Sequence, residues 1–440
     1  MVLSEKDGDG RSPSRCLSFF GKAAGLLLFF CLLLPRHALF AQAGGSAEGD
    51  NLSVHLALIG PGDELYFWWG HLGLVVEDHL TGQSLFYDWG VFSFENENFF
   101  LDFAFGRLIY MTAVSKAEIT YRVYTQTNRD VILFTLNLPP EKKQAIAHFA
   151  ANNVLPENRD YEYHHFRDNC STRIRDILDM ATDGQFKERY GNAPGYFTLR
   201  QHVRRHTWFN PFFDWILNFW MGQVIDTPMT VWDDMFLPAE LAKRANNFRF
   251  TDADGNERPL ISSIQVINEA VGRPAVLDTP RLQWPRQLLA SVLFSSVLLL
   301  LCCLCGNKKG FRVFSGLVHS FLALFFGAAG LMLFFLTLFT NHDYTFENIN
   351  ILFVNPLYFV ALPCGIILAF TKNAKKRATS LRVLRIFWAY VFISGLVTIA
   401  LRFFPAFYQQ NQVTQAMVLP LALVMVYVTT RAMQREGSAA

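Results

Sequence analysis

The side chains in this sequence best suited to chemistry gather around one cysteine. Tyr161-Glu-Tyr-His-His-Phe-Arg-Asp-Asn-Cys170-Ser-Thr-Arg-Ile-Arg-Asp176 is an aromatic, polar lead-in that ends on a thiol. Ile174, Ile177 and Leu178 follow at helical spacing. That spacing predicts a helix beginning at Cys170, with the thiol one turn before Ile174 on the same face. Asn169 or Ser171 could cap it. A thiol at a helix N-terminus, with Arg173 and Arg175 nearby, favours the thiolate, which is the nucleophilic form. The plain alternative is a buried structural cysteine.

The other cysteines weigh against that alternative. Arg11, Arg15 and Lys22 precede the apolar run from Ala23 to Leu34, and Ala41-Gln-Ala43 offers a cleavage site. This is the pattern of a secretory signal, or else of an uncleaved anchor helix. Either way the chain after Ala43 leaves the cytoplasm. Of seven cysteines, Cys16 and Cys31 lie in the leader and Cys302, Cys303, Cys305 and Cys364 in membrane-length apolar runs. Cys170 is thus the only thiol of the exported soluble region, with no partner there for a structural disulfide. A lone thiol in an oxidising compartment is a liability unless it is buried or used.

A nucleophilic thiol needs a base, and the base needs a third group to orient it. The soluble region offers His55, His71, His148, His164, His165, His202 and His206. His164 and His165 are near Cys170 in sequence, which is not spatial adjacency. His71 is favoured because Tyr66-Phe-Trp-Trp-Gly-His71 places it where a glycine turn enters a strand, beside an aromatic wall. Leu72–Glu77 alternates with period two, Thr81-Gly82 makes a turn, and Ser84–Gly90 returns. That hairpin brings Asp88 and Trp89 towards His71, with the register open. Asp88 is the natural orienter. The plain alternatives are a buried histidine bonded to backbone and a strand-end carboxylate.

Further strands are expected at Val54–Ile59, Ile119–Val123 and Val131–Leu136, and a helix from Pro139-Pro140 to about Asn152. Phe92–Phe105 reads as partly helical. The soluble part is therefore α+β, with a histidine-bearing sheet before a cysteine-bearing helix. Trp208–Trp220 is aromatic with few charges and fits either a core helix or a membrane-interface helix.

Five apolar spans follow, at about 287–306, 313–340, 351–371, 386–404 and 414–430, each long enough to cross ~30 Å of hydrocarbon. Lys308, Lys309 and Arg312 follow the first, and Lys372, Lys375, Lys376, Arg377, Arg382 and Arg385 the third. Arg431 and Arg435 follow the fifth, whereas 341–350 and 405–413 carry no Lys or Arg. That asymmetry puts the soluble domain outside. The expected division is 1–43 signal or anchor, 44–286 extracytoplasmic domain with its aromatic extension, 287–431 membrane domain and 432–440 cytoplasmic tail. The net charge of +2 gives no reason to expect nucleic acid. No nucleotide loop, zinc spacing or internal repeat stands out, and no cofactor or metal is expected.

Trp69-Gly-His71, Tyr87-Asp-Trp-Gly90, Asn169-Cys-Ser-Thr-Arg-Ile-Arg-Asp176, Leu217-x-x-x-x-Gly222-x-x-x-Asp226 with Phe236-Leu-Pro238, and His342-x-x-Thr345-x-x-Asn348-x-Asn350 through Asn355-Pro-Leu357 resemble the Lnb-type lipoprotein N-acyltransferases of Bacteroides and relatives. The resemblance runs from about residue 50 to the end. Asp168 stands where a second Asn is expected, and Trp69 where Phe is usual. The family resembles permuted papain-like thiol enzymes. That implies Cys170 and His71 as a catalytic dyad, to which the hairpin reading adds Asp88 as the orienter. Trp69, Asn169, Thr172, Arg173, His342 and Asn350 would bind substrate or support the site, the last two at lipid head groups. The implied reaction moves an acyl chain from a phospholipid, through a thioester, to the N-terminal amine of a diacylglyceryl-cysteine lipoprotein at the bacterial inner membrane. The competing expectation is a membrane-anchored thiol hydrolase acting on a cell-wall amide or a lipid ester.

Overall fold

In a computed structural model of the chain, residues 50–92 and 98–438 are described. The leader expected at 1–43 lies outside them. Apolar residues on alternate positions of Leu52–Ile59 (β1) and His71–Asp78 (β2) build an antiparallel pair with a different core on each face. Val54, Leu56, Leu72, Leu74 and Val76 enter the main core, while Ala57 and Val75 enter a smaller one. Gly82, at φ +71°, sits in the turn into Gln83–Val91 (β3).

Ile109–Lys116 (β4), Val131–Leu136 (β5), Asp160–Glu162 (β6) and an edge strand at Ile261–Asn268 complete a seven-stranded sheet. Its order is Ile261–Asn268, β5, β1, β2, β3, β4, β6, and every neighbouring pair is antiparallel. Helices Pro140–Asn153, Cys170–Ala181 and Pro238–Asn246 cover the main face through Ile146, Ile174, Ile177, Leu178 and Leu241. Helix Ala117–Gln126 covers the other, with Tyr121 and Tyr124 against Phe86.

That last helix corrects the strand expected at Ile119–Val123. The β-branched residues there suggest a strand, but the tyrosines fall three apart, on the helical face that packs against the Phe86 ring. The strand itself runs just before, over Ile109–Lys116.

The aromatic Pro211–Trp220 helix joins the two halves of the protein. Trp215, Ile216 and Phe219 are buried in the core of the membrane domain. Trp215 stacks on Phe325 at 5.4 Å, and its Nε1–H donates to Thr414 Oγ1 at 3.2 Å. Phe212 stays exposed. The helix is thus a core helix of the membrane domain with one outward edge. Behind it, fully buried Arg200 donates to Asp226 (2.8 Å) and to the carbonyls of Asn218, Met221 and Gly222. A Cβ on Gly222 would collide with the Phe346 carbonyl. Gly222 N–H instead donates to Tyr344 O at 2.8 Å, so this glycine lets the outer loop close against the junction.

Among the described residues, five segments are long and apolar enough to cross a membrane: Trp284–Cys305, Lys309–Phe339, Ile349–Phe370, Ala374–Leu401 and Gln412–Glu436. The third is not the single helix expected at 351–371. Its outer half is 3-10, at Ile349–Leu352 and Pro356–Val360, and only Ala361–Phe370 is α. Asn355 holds the break, its Nδ2 donating to Ile351 O and Tyr390 Oη. Irregular backbone at membrane depth is tolerated where such partners surround it. The fourth helix ends at Leu401, which leaves Arg402 on the outer side as an exception to the charge asymmetry.

Candidate active site

Asn169 fixes the thiol. Its Oδ1 accepts from the Ser171 and Thr172 amides at 2.9 Å, and Thr172 Oγ1 accepts from Asn169 N at 2.8 Å, a reciprocal capping box. Of the two possible caps, it is therefore Asn169 that serves. Its Nδ2 donates to the carbonyls of His165 and Phe236, and Ser171 Oγ donates to Met235 O. Cys170 begins the helix, 9% exposed and in no disulfide among the described residues.

The cap uses the amides of Ser171 and Thr172, so the helix start leaves the Cys170 amide as its donor to a developing oxyanion. The neighbouring arginines do not serve the thiol either. Arg173 pairs with Asp168 at 2.5 and 2.7 Å and stacks on Tyr161, and Arg175 pairs with Asp176 over the Trp232 ring. Asp168, the departure from the family pattern, is thus the carboxylate that holds Arg173 against the lead-in.

His71 is the first residue of β2, after Gly70 at φ +76°. Its Nε2–H donates to Asp88 Oδ1 at 2.8 Å. With Nε2 so engaged, Nδ1 carries the lone pair of the neutral ring and is the proton acceptor. Burial alone pulls the imidazolium down. Asp88, the Cys170 thiolate and Tyr124 outweigh it, and His71 is raised well above the ordinary histidine value. Thiol and imidazole act on each other through charge. No hydrogen bond joins them among the described residues; apo sites often tighten such contacts only on binding substrate.

The geometry of the sheet explains how they meet. His71 and Asp88 share the strand parity of Val75 and Phe86, whose side chains lie on the Tyr124 face, whereas the Cys170 helix packs on the opposite face. They converge around one end of the sheet. Gly90, at φ +95°, lies where the register between β3 and β4 slips between Trp89 and Val91. A Cβ there would lie 3.3 Å from Tyr163 Cε2 and 4.0 Å from Cys170 Cβ, so the missing side chain lets the lead-in close over the sheet end.

Trp69 packs with Val203, Met221 and Ile225 at the junction and stacks at 6.4 Å on His206, so it supports the turn before His71. His164 and His165 face the outer loop rather than the thiol. His164 Nε2 and Arg167 pair with Asp343 at 3.1 and 3.0 Å. His342 Nε2–H donates to Phe103 O at 3.0 Å, and Tyr344 Oη donates to His342 Nδ1 at 2.9 Å.

A cavity of about 290 Å³ opens between the lead-in and this loop, lined by residues including Tyr163, His164, His165, Arg167, His342 and Tyr344. Burial, with His342 and His164 nearby, pulls His165 down to about 4, so it is neutral near pH 7, and its buried Nδ1 has no hydrogen-bond partner among the described residues. Asn350 does not reach this cavity. It is fully buried, its Nδ2 donating to Phe219 O and its Oδ1 accepting from Asn411, and it secures the junction helix rather than a head group. Among the described residues, no cluster of His, Cys, Asp and Glu could hold a metal ion.

Sequence reasoning missed Tyr163, Gly90 and Arg129. Arg129 lies between the rings of Phe67 and Tyr124, at 4.4 and 4.9 Å, and donates to Gly60 O. The Tyr87-Asp-Trp-Gly90 motif held the signal for Gly90 and the aromatic lead-in held that for Tyr163; nothing local marked Arg129.

Fold and site together define a multi-pass membrane protein whose α+β domain carries a thiol, an imidazole and a carboxylate at one end of its sheet. Residues 40–205 match the family model of the Lnb N-terminal periplasmic domain, and residues 282–436 match that of the Lnb transmembrane domain. The chain belongs to the Lnb family, and its α+β domain is periplasmic. No curated protein and no solved structure matches it.

Proposed function

We propose that this protein is a cysteine-dependent lipoprotein N-acyltransferase of the bacterial inner membrane. The observation that carries the reading is the location of the thiol. The lead-in that ends on Cys170 meets the outer loop of a five-span domain, His164 and Arg167 pairing with Asp343, and a cavity opens between that loop and the lead-in. A soluble substrate would need an anchor, not this contact. Two lipid substrates would need both domains.

In the first half-reaction, His71 Nδ1 holds the proton taken from the thiol, as the imidazolium that its raised value favours. Sγ attacks the acyl carbonyl carbon of a phospholipid ester. The Cys170 amide faces the oxyanion, and the lysolipid oxygen leaves with the proton from His71. The cavity lined by His164, His165, Arg167 and His342 holds the head group. In the second half-reaction, the α-amine of a diacylglyceryl-cysteine attacks the thioester. Its proton passes to His71, the N-acyl bond forms and the thiol is restored. An α-amine with a pKa of about 8 is partly unprotonated near neutrality.

Purified protein given phospholipid and a diacylglyceryl peptide with a free N-terminal amine is expected to yield N-acylated peptide and lysolipid in equal amounts, read by mass spectrometry. Free fatty acid released at the same rate with or without the peptide would point to the hydrolase instead.

A further inference from the structure

The short helix Phe99–Phe105 buries no residue fully, and Leu101 on it is 60% exposed. A soluble domain gains nothing by displaying Leu101, Phe103 and, at the start of β4, Ile109 to water. The helix is nonetheless firmly placed. Gly106 caps it at φ +76°, and a Cβ there would touch the Asn341 backbone. Asn341 N–H donates to Phe105 O at 2.8 Å, and His342 Nε2–H donates to Phe103 O at 3.0 Å. The Phe105 ring packs on Phe335 at 5.6 Å, and Phe335 stacks on Phe339, the last residue of the second span. Leu338 and Phe339 are themselves exposed on that span. The helix therefore sits at the level where a transmembrane helix leaves the bilayer, continuous with a surface that faces lipid.

Inward from it runs an unbroken file of rings. Phe103 meets Phe99 at 6.2 Å, Phe99 meets Phe92 at 5.5 Å, Phe92 meets Tyr110 at 5.1 Å, and Tyr110 stacks on Tyr163 at 4.3 Å. Tyr163 covers Gly90, whose open side faces Cys170. Burial pushes the Tyr110 phenol up to about 12, as expected of a dehydrated wall.

We propose that Phe99–Phe105 is an interfacial helix that seats Leu101 and Phe103 in the outer-leaflet acyl region, and that its aromatic file is the track by which a bilayer acyl chain reaches Cys170. The occupant is lipid, because the helix is tied to the outer end of a span and its exposed face is apolar. The track rests on the acyl-transfer reading; the seating in the membrane does not.

Two measurements separate these. In full-length protein with its native cysteines replaced by alanine, Leu101→Cys is labelled with bimane in phospholipid vesicles. Phospholipids brominated on their acyl chains should quench the label and aqueous iodide should not, with a label at Tyr196→Cys, 82% exposed in the wild type, as the aqueous reference. Quenching by iodide equal to that at Tyr196→Cys, with none by bromolipid, overturns the seating. Leu101→Asp with Phe100→Asp, the latter 67% exposed on the same helix, native cysteines kept, should slow acylation of Cys170 from long-chain phospholipid vesicles by roughly tenfold or more. Acylation from a water-soluble short-chain aryl ester should be unchanged. Equal slowing with both donors overturns the track. Wild-type protein that takes acyl groups from neither donor counts against the acyl-transfer reading and leaves the bimane result standing.

Discussion

Cys170→Ala is expected to lower acyl transfer on the order of ten-thousand-fold or more while the protein reaches the membrane at normal abundance. The two halves of this expectation have separate causes. In the proposed mechanism Sγ is the atom that attacks and carries the acyl group, and no other thiol lies in the periplasmic domain. The helix start does not depend on that sulfur. It is held by Asn169 Oδ1, Thr172 Oγ1 and Ser171 Oγ, all of which remain. Alanine keeps the Cβ and favours the helix. Cys170→Ser keeps the shape but replaces the nucleophile by a hydroxyl, so any oxygen ester formed should turn over slowly. Full activity of Cys170→Ala would end the thiol mechanism.

His71→Ala is the second large effect, at about a hundred- to ten-thousand-fold. In the proposed mechanism the ring takes a proton from the thiol and later from the amine, and between these steps it protonates the leaving lysolipid oxygen. Its raised value gives the pH dependence a sign. The folded protein holds the imidazolium above the ordinary histidine range, so the proton needed by the leaving group is present below that raised value and lost as pH climbs through it. The alkaline limb of kcat/KM should therefore lie above the range of a free histidine. Burial is the largest influence on this ring and acts downward, and Asp88 is the largest of those acting upward. Asp88→Asn should move the alkaline limb to lower pH while leaving the protein folded. A pH profile of Asp88→Asn that overlays the wild type would remove Asp88 from the role of orienter.

Much of this site was legible in the sequence because it is local. The capping pattern at Asn169–Thr172 and the two-residue alternation of β2 and β3 are short-range signals, and the hairpin puts Asp88 within hydrogen-bond reach of His71 once the turn is read at Thr81-Gly82. What was not legible depends on long-range packing. The helix over Ala117–Gln126 is decided by Phe86 on another strand, and β-branched Ile119, Thr120 and Val123 pull a local reading the other way. The edge strand Ile261–Asn268 is dictated by its partner β5. Asn350 reads as a polar residue on a surface loop, but its partners lie some 130 and 60 residues away in the chain, at Phe219 and Asn411. Arg173 and Arg175 read as cations near a thiol; Asp168 and Asp176, also in the motif, claim them.

The most direct test of the account is the acyl-enzyme itself. Protein incubated with phospholipid and a diacylglyceryl peptide whose N-terminal amine is blocked should stall after the first half-reaction. Intact-mass and peptide analysis should then show one fatty acyl group on Cys170, removed by neutral hydroxylamine, absent in Cys170→Ala, and discharged to the peptide when the free amine is supplied. Phospholipid turnover with no adduct on Cys170, or an adduct that a free amine does not discharge, would contradict it.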